Sequence, residues 1–590
     1  MKDIIFVYKK IIRILNNRQR IKIFFLFLAS VLFALFETIG VSVILPLTEV
    51  ITSSDEFINN RFVSILISIF KIEDYRHIVA VIIIGTIVIY LFKNSYFIFF
   101  SWLKNKVSTG IGNELSSYML RSYMNRGYLY FVEHNSNVIN QGIAGDASNV
   151  YTIISNMLLL ITKVLIILFI GIYMLITDWQ LAIGLLVSAV ACLVVTMKVF
   201  KPIVRKSGEL NREYSIRASR TLWQTLWGIK ELMASHKQKR AIFAYERNIE
   251  KHRRANIVMN VTQDSPIYVM EMFCVSVILI VLYTRILKGD DYSGFVGVLA
   301  SFAIGAFRIL PAVGGIASYT NIIVSMIPSL DAVHENLVES REYNKKQFNI
   351  SARDDERYRD FVFSSNVSLK NITFAYNEEN GNVIENLNMT IFKGQSVGFV
   401  GESGAGKSTL SDIILGVISP DLGQVLVDDV PITAIPNRWG EIVGFVPQQI
   451  YLADTTIKEN VAFFEDLSDI DDSLVIESLK KANVWEFICT LPDGIETRIG
   501  DQGVRLSGGQ RQRIGIARAL YHQPEILVLD EATSALDNET EKAVMEAIDS
   551  LKSTMTLIII AHRLTTIKNC DVIYEIKEGK AIERKYEEIV

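Results

Sequence analysis

The chain has little of what marks a metal cluster, a disulfide framework or a nucleic-acid surface. Only four cysteines occur in 590 residues, and none lies in a group with metal-ligand spacing. Cys192 and Cys274 lie inside apolar runs, and Cys489 and Cys570 lie in the more polar C-terminal part, so no disulfide framework is implied. The formal net charge of -3 offers no positive excess that would favour a nucleic-acid partner.

Apolar residues, by contrast, are abundant and unevenly distributed. They make up 50% of the chain, and the mean hydropathy of +0.29 is high for a soluble protein. The excess is concentrated before residue 330, while the part after about 355 has the composition of an ordinary α/β domain. The sequence therefore predicts a membrane part followed by a globular part.

Six apolar runs are long enough to cross about 30 Å of hydrocarbon. The first has bases before it but is too long for a signal peptide and has no small-residue cleavage site, so it is predicted to be retained. The six runs lie near residues 23–47, 78–102, 152–176, 180–200, 266–286 and 295–327. An even number of spans places both termini on one side of the membrane.

The distribution of lysine and arginine predicts which side that is. The connection 201–262 holds fourteen Lys and Arg residues and only five acids, whereas the connections on the opposite side contain few bases. The positive-inside rule therefore predicts that the basic connections and both termini are cytoplasmic.

Three connections are unusual. Residues 103–150 and 201–262 are rich in helix formers, which predicts helices extended into the cytoplasm, with breaks around His134–Gly145 and Trp223–Leu232 as candidate contacts with the globular part. The external run Arg61–Lys71 is too short to span and suits an interfacial amphipathic helix. A buried packing helix is the alternative.

Several ionisable residues fall inside the predicted spans, where an unpaired charge is costly. They pair with one another or face a watery cavity, and Lys93 and Arg308 are candidates to line a pathway for an anionic headgroup. Pro311 is predicted to kink the sixth span. The ionisable residues are Glu37, Lys93, Lys163, Glu271 and Arg308.

The globular part contains a phosphate-binding loop motif between an apolar strand-like run, Ser396–Val400, and an apolar-faced helix. Glycines allow the backbone to approach phosphate oxygens, and the helix N-terminus favours an anion. Lys407 is predicted to reach the β- and γ-phosphates, and Ser408 to ligate Mg²⁺. The motif runs Gly401, Glu402, Ser403, Gly404, Ala405, Gly406, Lys407, Ser408, and Thr409 follows it.

Two later motifs support nucleotide hydrolysis. The apolar run from Ile526 ends in Asp530 and Glu531, at the strand end where α/β sheets bind ligands. Asp530 is predicted to hold Mg²⁺, and Glu531 to polarise the attacking water. Upstream, a Ser and two Gly residues open an arginine-rich helix and form a second candidate anion site. That motif is Leu506, Ser507, Gly508, Gly509 and Gln510.

On these motifs the chain resembles the ATP-binding cassette (ABC) family, whose signature Leu506–Gln510 matches without deviation. The resemblance implies that Tyr376 stacks on adenine and that Gln448, a further Mg²⁺ contact, links the nucleotide to the membrane part. It also implies that Ser534–Asp537 is the D-loop and that His562 senses the γ-phosphate. Residues 497–503 resemble the loop that exporters place before the signature.

The same resemblance implies the half-transporter plan of ABC exporters. Its domains are a six-span helical region at 1–330, a linker at 331–358 and an α/β nucleotide-binding domain at 359–590. In the family, Ser507, Gly508, Gly509 and Gln510 of one subunit close on the ATP bound by the other. A homodimer with ATP and Mg²⁺ in both sites is therefore expected, in a bacterial inner membrane and with no nucleic-acid partner.

The substrate is inferred from a narrower resemblance. Glu37-Thr38, Pro266 with Glu271, and Phe307–Pro311 resemble the PglK-type flippases of polyprenyl-diphosphate-linked oligosaccharides. Multidrug, lipid A and peptide exporters of the same fold are alternatives, although no cysteine protease domain precedes the first span. A cassette protein outside transport is disfavoured by the six spans, and an importer ordinarily has its cassette on a separate chain.

Overall fold

The structure is a computed structural model, and its contacts divide the chain into two units. It describes residues 2–43, 75–177, 196–288, 311–343, 354–377, 381–500, 503–531, 538–552, 554–561 and 563–589, with a few positions between 182 and 195 and residue 309. The helical unit comprises residues 1–123 and 133–342, and the nucleotide-binding unit comprises 124–132 and 343–590. The external run Arg61–Lys71 and Arg308 lie outside the described residues.

The helical unit contains two helices much longer than a membrane is thick. At 1.5 Å per residue, the 50-residue α3 and the 51-residue α9 each extend for about 75 Å, so both continue well beyond any membrane-spanning part. The helices are α1 (Lys2–Ile14), α2 (Asn17–Ser42), α3 (Tyr75–Met124), α4 (Tyr128–Glu133), α5 (Ser136–Asn140), α6 (Ala147–Thr177), α7 (Lys201–Trp227), α8 (Ile229–Ala234), α9 (Gln238–Lys288), α10 (Pro311–Ser325) and α11 (Ile327–Tyr343). Short π-helices occupy Gln141–Asp146 and Thr196–Phe200.

Three helices in the described part are long and apolar enough to cross a membrane, or four if the bent pair α10 and α11 forms one span. They lie at Asn17–Ser42, Val79–Met124 and Ser136–Ile176. A buried apolar cluster joins α2, α6 and α10, whereas Leu91, Phe92 and Ile98 on α3 are more than 60% exposed. Exposed apolar side chains of this kind suit contact with lipid tails. The six-span topology stays a prediction.

The chain breaks in the first long connection earlier than predicted. Helix α3 ends at Met124, and Gly127, with φ of 75°, separates it from α4. A second break falls at His134 and Asn135, between α4 and α5, within the range expected, and the segment that clusters with the nucleotide-binding unit is 124–132. In the second connection the break falls at Gly228, as expected. The region predicted as a linker is helical as far as Tyr343.

The nucleotide-binding unit contains two sheets. A four-stranded antiparallel sheet has the order β2-β1-β4-β5, and a six-stranded sheet has the order β10-β9-β3-β8-β7-β6, in which only the β10–β9 pair is antiparallel. The strands are β1 (Asn366–Phe374), β2 (Ile384–Phe392), β3 (Ser396–Val400), β4 (Leu422–Val427), β5 (Val430–Pro431), β6 (Val443–Val446), β7 (Ile526–Asp530), β8 (Thr556–Ile560), β9 (Val572–Lys577) and β10 (Lys580–Arg584). Strands β3 and β8 are buried along their whole length, as expected for the centre of a parallel sheet.

Helices cover this sheet and build a separate helical layer. They are α12 (Lys407–Ile414), α13 (Pro436–Ile442), α14 (Ile457–Val461), α15 (Asp472–Lys481), α16 (Trp485–Cys489), α17 (Gly508–Leu520), α18 (Asn538–Leu551) and α19 (Leu564–Ile567). Two hydrophobic clusters result. The sheet cluster contains Phe399 and Leu410, and the helical cluster contains Leu506 and Ile514.

Candidate functional site

The phosphate-binding loop lies between β3 and α12, and its backbone requires glycine at three positions. Gly401, Gly404 and Gly406 have φ of 146°, 83° and 98°, a region that side chains disfavour. A Cβ on Gly401 would lie 2.3 Å from the carbonyl oxygen of Ile576. The loop is therefore a cradle that larger residues cannot form, and this geometry fits a bound phosphate chain.

Lys407 is the first residue of α12, and its side chain folds back over the loop. Its Nζ donates hydrogen bonds to the carbonyl oxygens of Gly401 at 2.8 Å and Glu402 at 2.9 Å. Burial lowers the pKa of Lys407, and the nearby Glu531 and Asp530 carboxylates oppose that shift. The ammonium thus lies within the cradle, in the electrostatic field of both predicted catalytic acids.

Tyr376 follows β1 and reaches the same loop. Its hydroxyl shares a hydrogen bond of 2.9 Å with the Thr409 hydroxyl, and its ring meets that of Phe374 edge-on at 5.1 Å. The ring is nevertheless 44% exposed. A fixed, open aromatic face beside the phosphate loop is the arrangement that base stacking requires.

Gln448 and Glu531 are in direct contact. The Gln448 Nε2 donates to the Glu531 Oε2 at 2.6 Å, because the parallel strands β6 and β7 end side by side. Glu531 has φ of 48°, and its backbone N–H donates to the Ile560 carbonyl of β8 at 3.0 Å. The sheet thus positions this carboxylate even though its backbone conformation is uncommon for a non-glycine residue.

These residues also fit Mg²⁺. The exposed hydroxyl of Ser408 and the carboxyl of Asp530 at the end of β7 are hard oxygen donors of the kind that Mg²⁺ prefers. Within the described ranges no group of three or more His, Cys, Asp or Glu residues forms a metal cage. A site with few protein ligands suits Mg²⁺, which commonly takes its remaining ligands from nucleotide phosphates and water.

The signature motif begins α17. Ser507 caps the helix: its Oγ accepts from the Gln510 N–H at 3.3 Å, and its own N–H donates to the Gln510 Oε1 at 2.8 Å. Gly508 is exposed and Gly509 is buried. Leu506 and the apolar face of α17 pack in the helical cluster, which also contains Val400, the last residue before the phosphate loop.

The arginines after the signature support the fold. Arg511 donates to the Leu506 carbonyl at 2.8 Å, and Arg513 donates to that of Asn483 at 2.7 Å. Arg518 donates to the carbonyls of Tyr451 and Asn460, both at 2.8 Å. Burial lowers the pKa of Arg518 to about 10. Sequence reasoning grouped these arginines with the anion site, but the structure uses them to tie loops to α17.

Two residues near the site carried no motif and were missed. Tyr128 belongs to the segment 124–132, and its pKa is raised by burial and then by the charges of Asp412 and Tyr376. The pKa of Asp412 on α12 is raised to about 6, chiefly by burial and also by Asp530. A chain segment more than 200 residues away in sequence therefore lies close to the nucleotide site. His562 and Ser534–Asp537 lie outside the described residues.

In the helical unit, the predicted intramembrane charges do not all behave alike. Lys93 is 2% exposed, and its Nζ lies 3.1 Å from the Glu37 carboxylate and above the rings of Tyr90 and Phe97. An ammonium engaged in this way is not available to line an anion pathway, so that part of the expectation for Lys93 is corrected. Lys163 is partly buried, and Glu271 is exposed.

Together, the glycine cradle, its lysine, the adjoining Gln448–Glu531 pair and the signature helix define an ATP-binding cassette, in a chain with membrane-spanning helices. The sequence model of the ABC transporter family matches residues 384–534, and that of the ABC transporter transmembrane region matches residues 21–308. The chain belongs to the ABC transporter family, and it has the exporter plan of a helical membrane domain followed by an α/β ATP-binding domain. The family and fold expected from the motifs are thereby confirmed.

Curated relatives include a plant ABC transporter and bacterial lipid A-core flippases. ABC transporter B family member 14 of Arabidopsis thaliana is 40% identical over 44% of this chain and 21% of its own length. The ATP-dependent lipid A-core flippase of Francisella novicida is 43% identical over 38% of each chain, and that of Chromobacterium violaceum is 29% identical over 82% of this chain and 80% of its own. The alignments with the Arabidopsis and Francisella proteins thus span about a fifth and about two fifths of the length of those relatives.

A solved structure has the same fold along the whole chain. It is described as a bacterial Atm1-family ABC exporter with ATP bound. The TM-score is 0.71, the sequences are 19% identical, and the match covers 97% of this chain and 96% of the other. At that identity the likeness bears on the fold alone.

Proposed function

We propose that the chain is one half of an ATP-driven flippase that moves a lipid-linked substrate across a bacterial inner membrane. The observation that carries this proposal is the Gln448–Glu531 contact of 2.6 Å beside the phosphate loop, in a chain with helices apolar enough to span a membrane. A binding module without hydrolysis needs no water-polarising carboxylate at this position.

In this proposal each site residue has a distinct role. The backbone of Gly401–Gly406 and the start of α12 cradle the phosphates, Lys407 neutralises the β- and γ-phosphates, and Tyr376 stacks on adenine, with Thr409 holding its hydroxyl. Ser408, Gln448 and Asp530 hold Mg²⁺, which supplies charge neutralisation on the phosphates when bound. Glu531 accepts a proton from the attacking water, and His562 contacts the γ-phosphate.

A second copy of the chain completes each site. Ser507, Gly508, Gly509 and Gln510 open a helix whose N–H groups favour an anion. In a homodimer, the signature of one subunit closes on the phosphate-loop ATP of the other. Closing and opening of this interface drives alternating access in the membrane part.

The proposed orientation places the nucleotide-binding unit and both termini in the cytoplasm. It is supported by the fourteen bases of 201–262, thirteen of which belong to helices α7, α8 and α9. ATP is then hydrolysed on the side where it is abundant.

For the substrate, we propose a polyprenyl-diphosphate-linked oligosaccharide, on the resemblance of the Glu37-Thr38, Pro266–Glu271 and Phe307–Pro311 segments to flippases of such lipids. A lipid A-core type of substrate is the second candidate, and it is favoured by the printed function of the Francisella and Chromobacterium relatives. Because Lys93 is engaged by Glu37, screening of a diphosphate falls to other bases, with Arg308 the remaining candidate.

The test uses proteoliposomes that contain wild type or Glu531→Gln. We expect ATP-dependent flipping of a short polyprenyl-diphosphate oligosaccharide by wild type. The variant, which keeps the amide contact to Gln448 but loses the proton acceptor, is expected to hydrolyse ATP at least about 100-fold more slowly and to flip nothing. A lipid A-core substrate is assayed in parallel.

The outcomes separate the parts of the proposal. ATP hydrolysis with transport of the lipid A-core substrate alone overturns the oligosaccharide assignment and retains the flippase. Hydrolysis without movement of either lipid overturns the flippase. If Glu531→Gln hydrolyses ATP at the wild-type rate, the assignment of Glu531 as the proton acceptor is wrong.

A further inference from the structure

A cleft of about 1090 Å³ lies in the helical unit, far along the chain from the cassette motifs. It is formed where the end of α1 and the start of α2 meet the distal part of α3 and the N-terminal half of α11. Its lining includes Arg13, Asn16, Arg20, Tyr118, Arg121 and His334. The thirteen lining residues include three arginines and one acid, Glu114.

The walls of the cleft are held by specific contacts. The Lys10 Nζ lies 2.6 Å from the Asp331 carboxylate and ties α1 to α11. Asn16 and Gln19 form a reciprocal cap at the start of α2, with hydrogen bonds of 3.0 and 2.9 Å. The Gln19 Nε2 then donates to the Glu114 carboxylate of α3 at 2.6 Å. The cleft is therefore part of the packed structure of this unit.

The positive charge in the cleft exceeds what its own acid neutralises. Glu114 is engaged by Gln19 and lies 3.7 Å from the Lys22 Nζ, and Arg20 donates to the Ile12 carbonyl. Arg13 and Arg121 are exposed, and neither makes an ion pair or hydrogen bond with a residue in the described ranges. Two guanidinium groups thus keep all of their donors available.

The cleft lies beside a helix suited to the membrane surface. Helix α1 buries Val7 and Ile11 but exposes Ile5, Phe6 and Tyr8 by 45–54%, next to the exposed Lys9. An amphipathic helix with apolar and basic residues exposed lies in the interface between hydrocarbon and headgroups. In the orientation proposed above, this is the cytoplasmic surface, where basic pockets between helices bind anionic headgroups.

We propose that this cleft binds the phosphate group of an anionic membrane lipid through Arg13 and Arg121. Guanidinium groups bind phosphate oxygens in a bidentate manner, and the two belong to helices α1 and α3, which a shared phosphate bridges. The exposed apolar face of α1 favours a lipid headgroup over free phosphate. Only the assignment of this site to the cytoplasmic leaflet depends on the proposed orientation.

The test measures binding of dioctanoyl phosphatidylglycerol to the purified full-length protein in detergent, by native mass spectrometry and titration. We expect Arg13→Gln/Arg121→Gln to weaken binding about tenfold, because two charge-assisted contacts are lost. The matched control is Arg18→Gln/Lys230→Gln, which removes the same charge from exposed positions of α2 and α8 outside the cleft lining. We expect that control to stay within about twofold of wild type, as for surface charges.

Two further arms settle the source of the phosphate and the integrity of the variants. Inorganic phosphate that displaces the lipid from wild type supports a general phosphate site, and failure to displace it supports a headgroup site. Arg13→Lys/Arg121→Lys keeps the charge but loses the bidentate contact, so it is expected to recover only part of the affinity. Equal loss in the cleft variant and the control variant overturns the proposal, and so does equal wild-type affinity for phosphatidylcholine.

Discussion

Gly401 illustrates how strongly a single backbone position constrains the nucleotide site. Its φ of 146° and the proximity of the Ile576 carbonyl are both incompatible with a side chain. The neighbouring β9 strand thus sets the shape of the loop as much as the loop sequence does.

We expect Gly401→Ala to destabilise the nucleotide-binding unit by about 1–3 kcal/mol, the typical cost of a strained backbone position, and to abolish ATP binding. Gly440→Ala is the matched control, because a Cβ there meets nothing within 4 Å. Thermal unfolding and binding of a fluorescent ATP analogue measure the two effects. Wild-type affinity in Gly401→Ala would contradict the cradle geometry.

The raised pKa of Asp412 predicts that the stability of the nucleotide-binding unit depends on pH. Its pKa is raised from 3.8 to about 6, first by burial and then by Asp530, so the folded state holds a proton that the unfolded chain releases. The resulting stabilisation is complete below pH 3.8 and is lost as the pH rises through 6. Asp412→Asn, which does not titrate, is therefore expected to gain about 1 kcal/mol over wild type at neutral pH, once solvent screening is allowed for.

This prediction is tested by measuring the unfolding midpoints of both proteins between pH 5 and 7.5. That range extends about one pH unit or more on each side of the shifted pKa. Asp466→Asn, at an exposed position, controls for the loss of a surface charge. A constant difference between Asp412→Asn and wild type across the window would show that the carboxyl does not titrate there.

At the scale of elements, α2 and α3 are joined by the buried Glu37–Lys93 pair, whose side chains are 10% and 3% exposed. Removal of one partner leaves an uncompensated charge in the apolar interior, at a cost of about 3 kcal/mol or more. We expect Lys93→Met to lower the unfolding midpoint in detergent, and Glu37→Gln/Lys93→Met to recover most of the loss. A double variant no more stable than the single one would contradict this pairing.

The elements also show what the sequence could predict. The apolar runs at 78–102 and 152–176 fall within α3 and α6, and the described part of the run at 23–47 lies in α2 except for its last residue, because long apolar runs form helices in a membrane whatever their neighbours are. The break at Gly228 was predicted from its glycine. The break at 125–127 carries the same local signal in Gly127, which was overlooked, whereas the burial of Arg126 against the Tyr130 ring follows from packing that no local pattern specifies.

The candidate site likewise has parts that the sequence predicted and parts that it did not. Glycines of the loop and acids at a strand end are local signals, so the phosphate loop and the Asp530–Glu531 pair were recognised directly. The contacts of Gln448 with Glu531 and of Tyr376 with Thr409 join residues 83 and 33 positions apart. The role of Arg518 depends on carbonyls 58 and 67 positions away. Such pairings are set by the packing of the sheet and the helical layer, which no local pattern specifies.

At the scale of the whole molecule, the proposal that the phosphate loop of one chain and the signature of another form each ATP site can be tested by mixing two variants. If two copies share each site, defects in these motifs must complement one another between subunits. A Lys407→Ala chain lacks a working phosphate loop, and a Ser507→Arg chain lacks a working signature. Neither homodimer has an intact site.

The mixed dimer of these two chains has one site with both defects and one site with neither. After random assembly of equal amounts, half of the dimers are mixed, and each carries one intact site of two. We therefore expect about a quarter of the wild-type ATPase activity from the mixture if the sites act independently, and none from either variant alone. The number of ATP molecules trapped per mixed dimer gives a second readout, and we expect one. This number stays the same even if hydrolysis at one site depends on the other site. A mixture that neither hydrolyses nor occludes ATP would mean that both motifs serve the same chain, and the proposed shared site would fall.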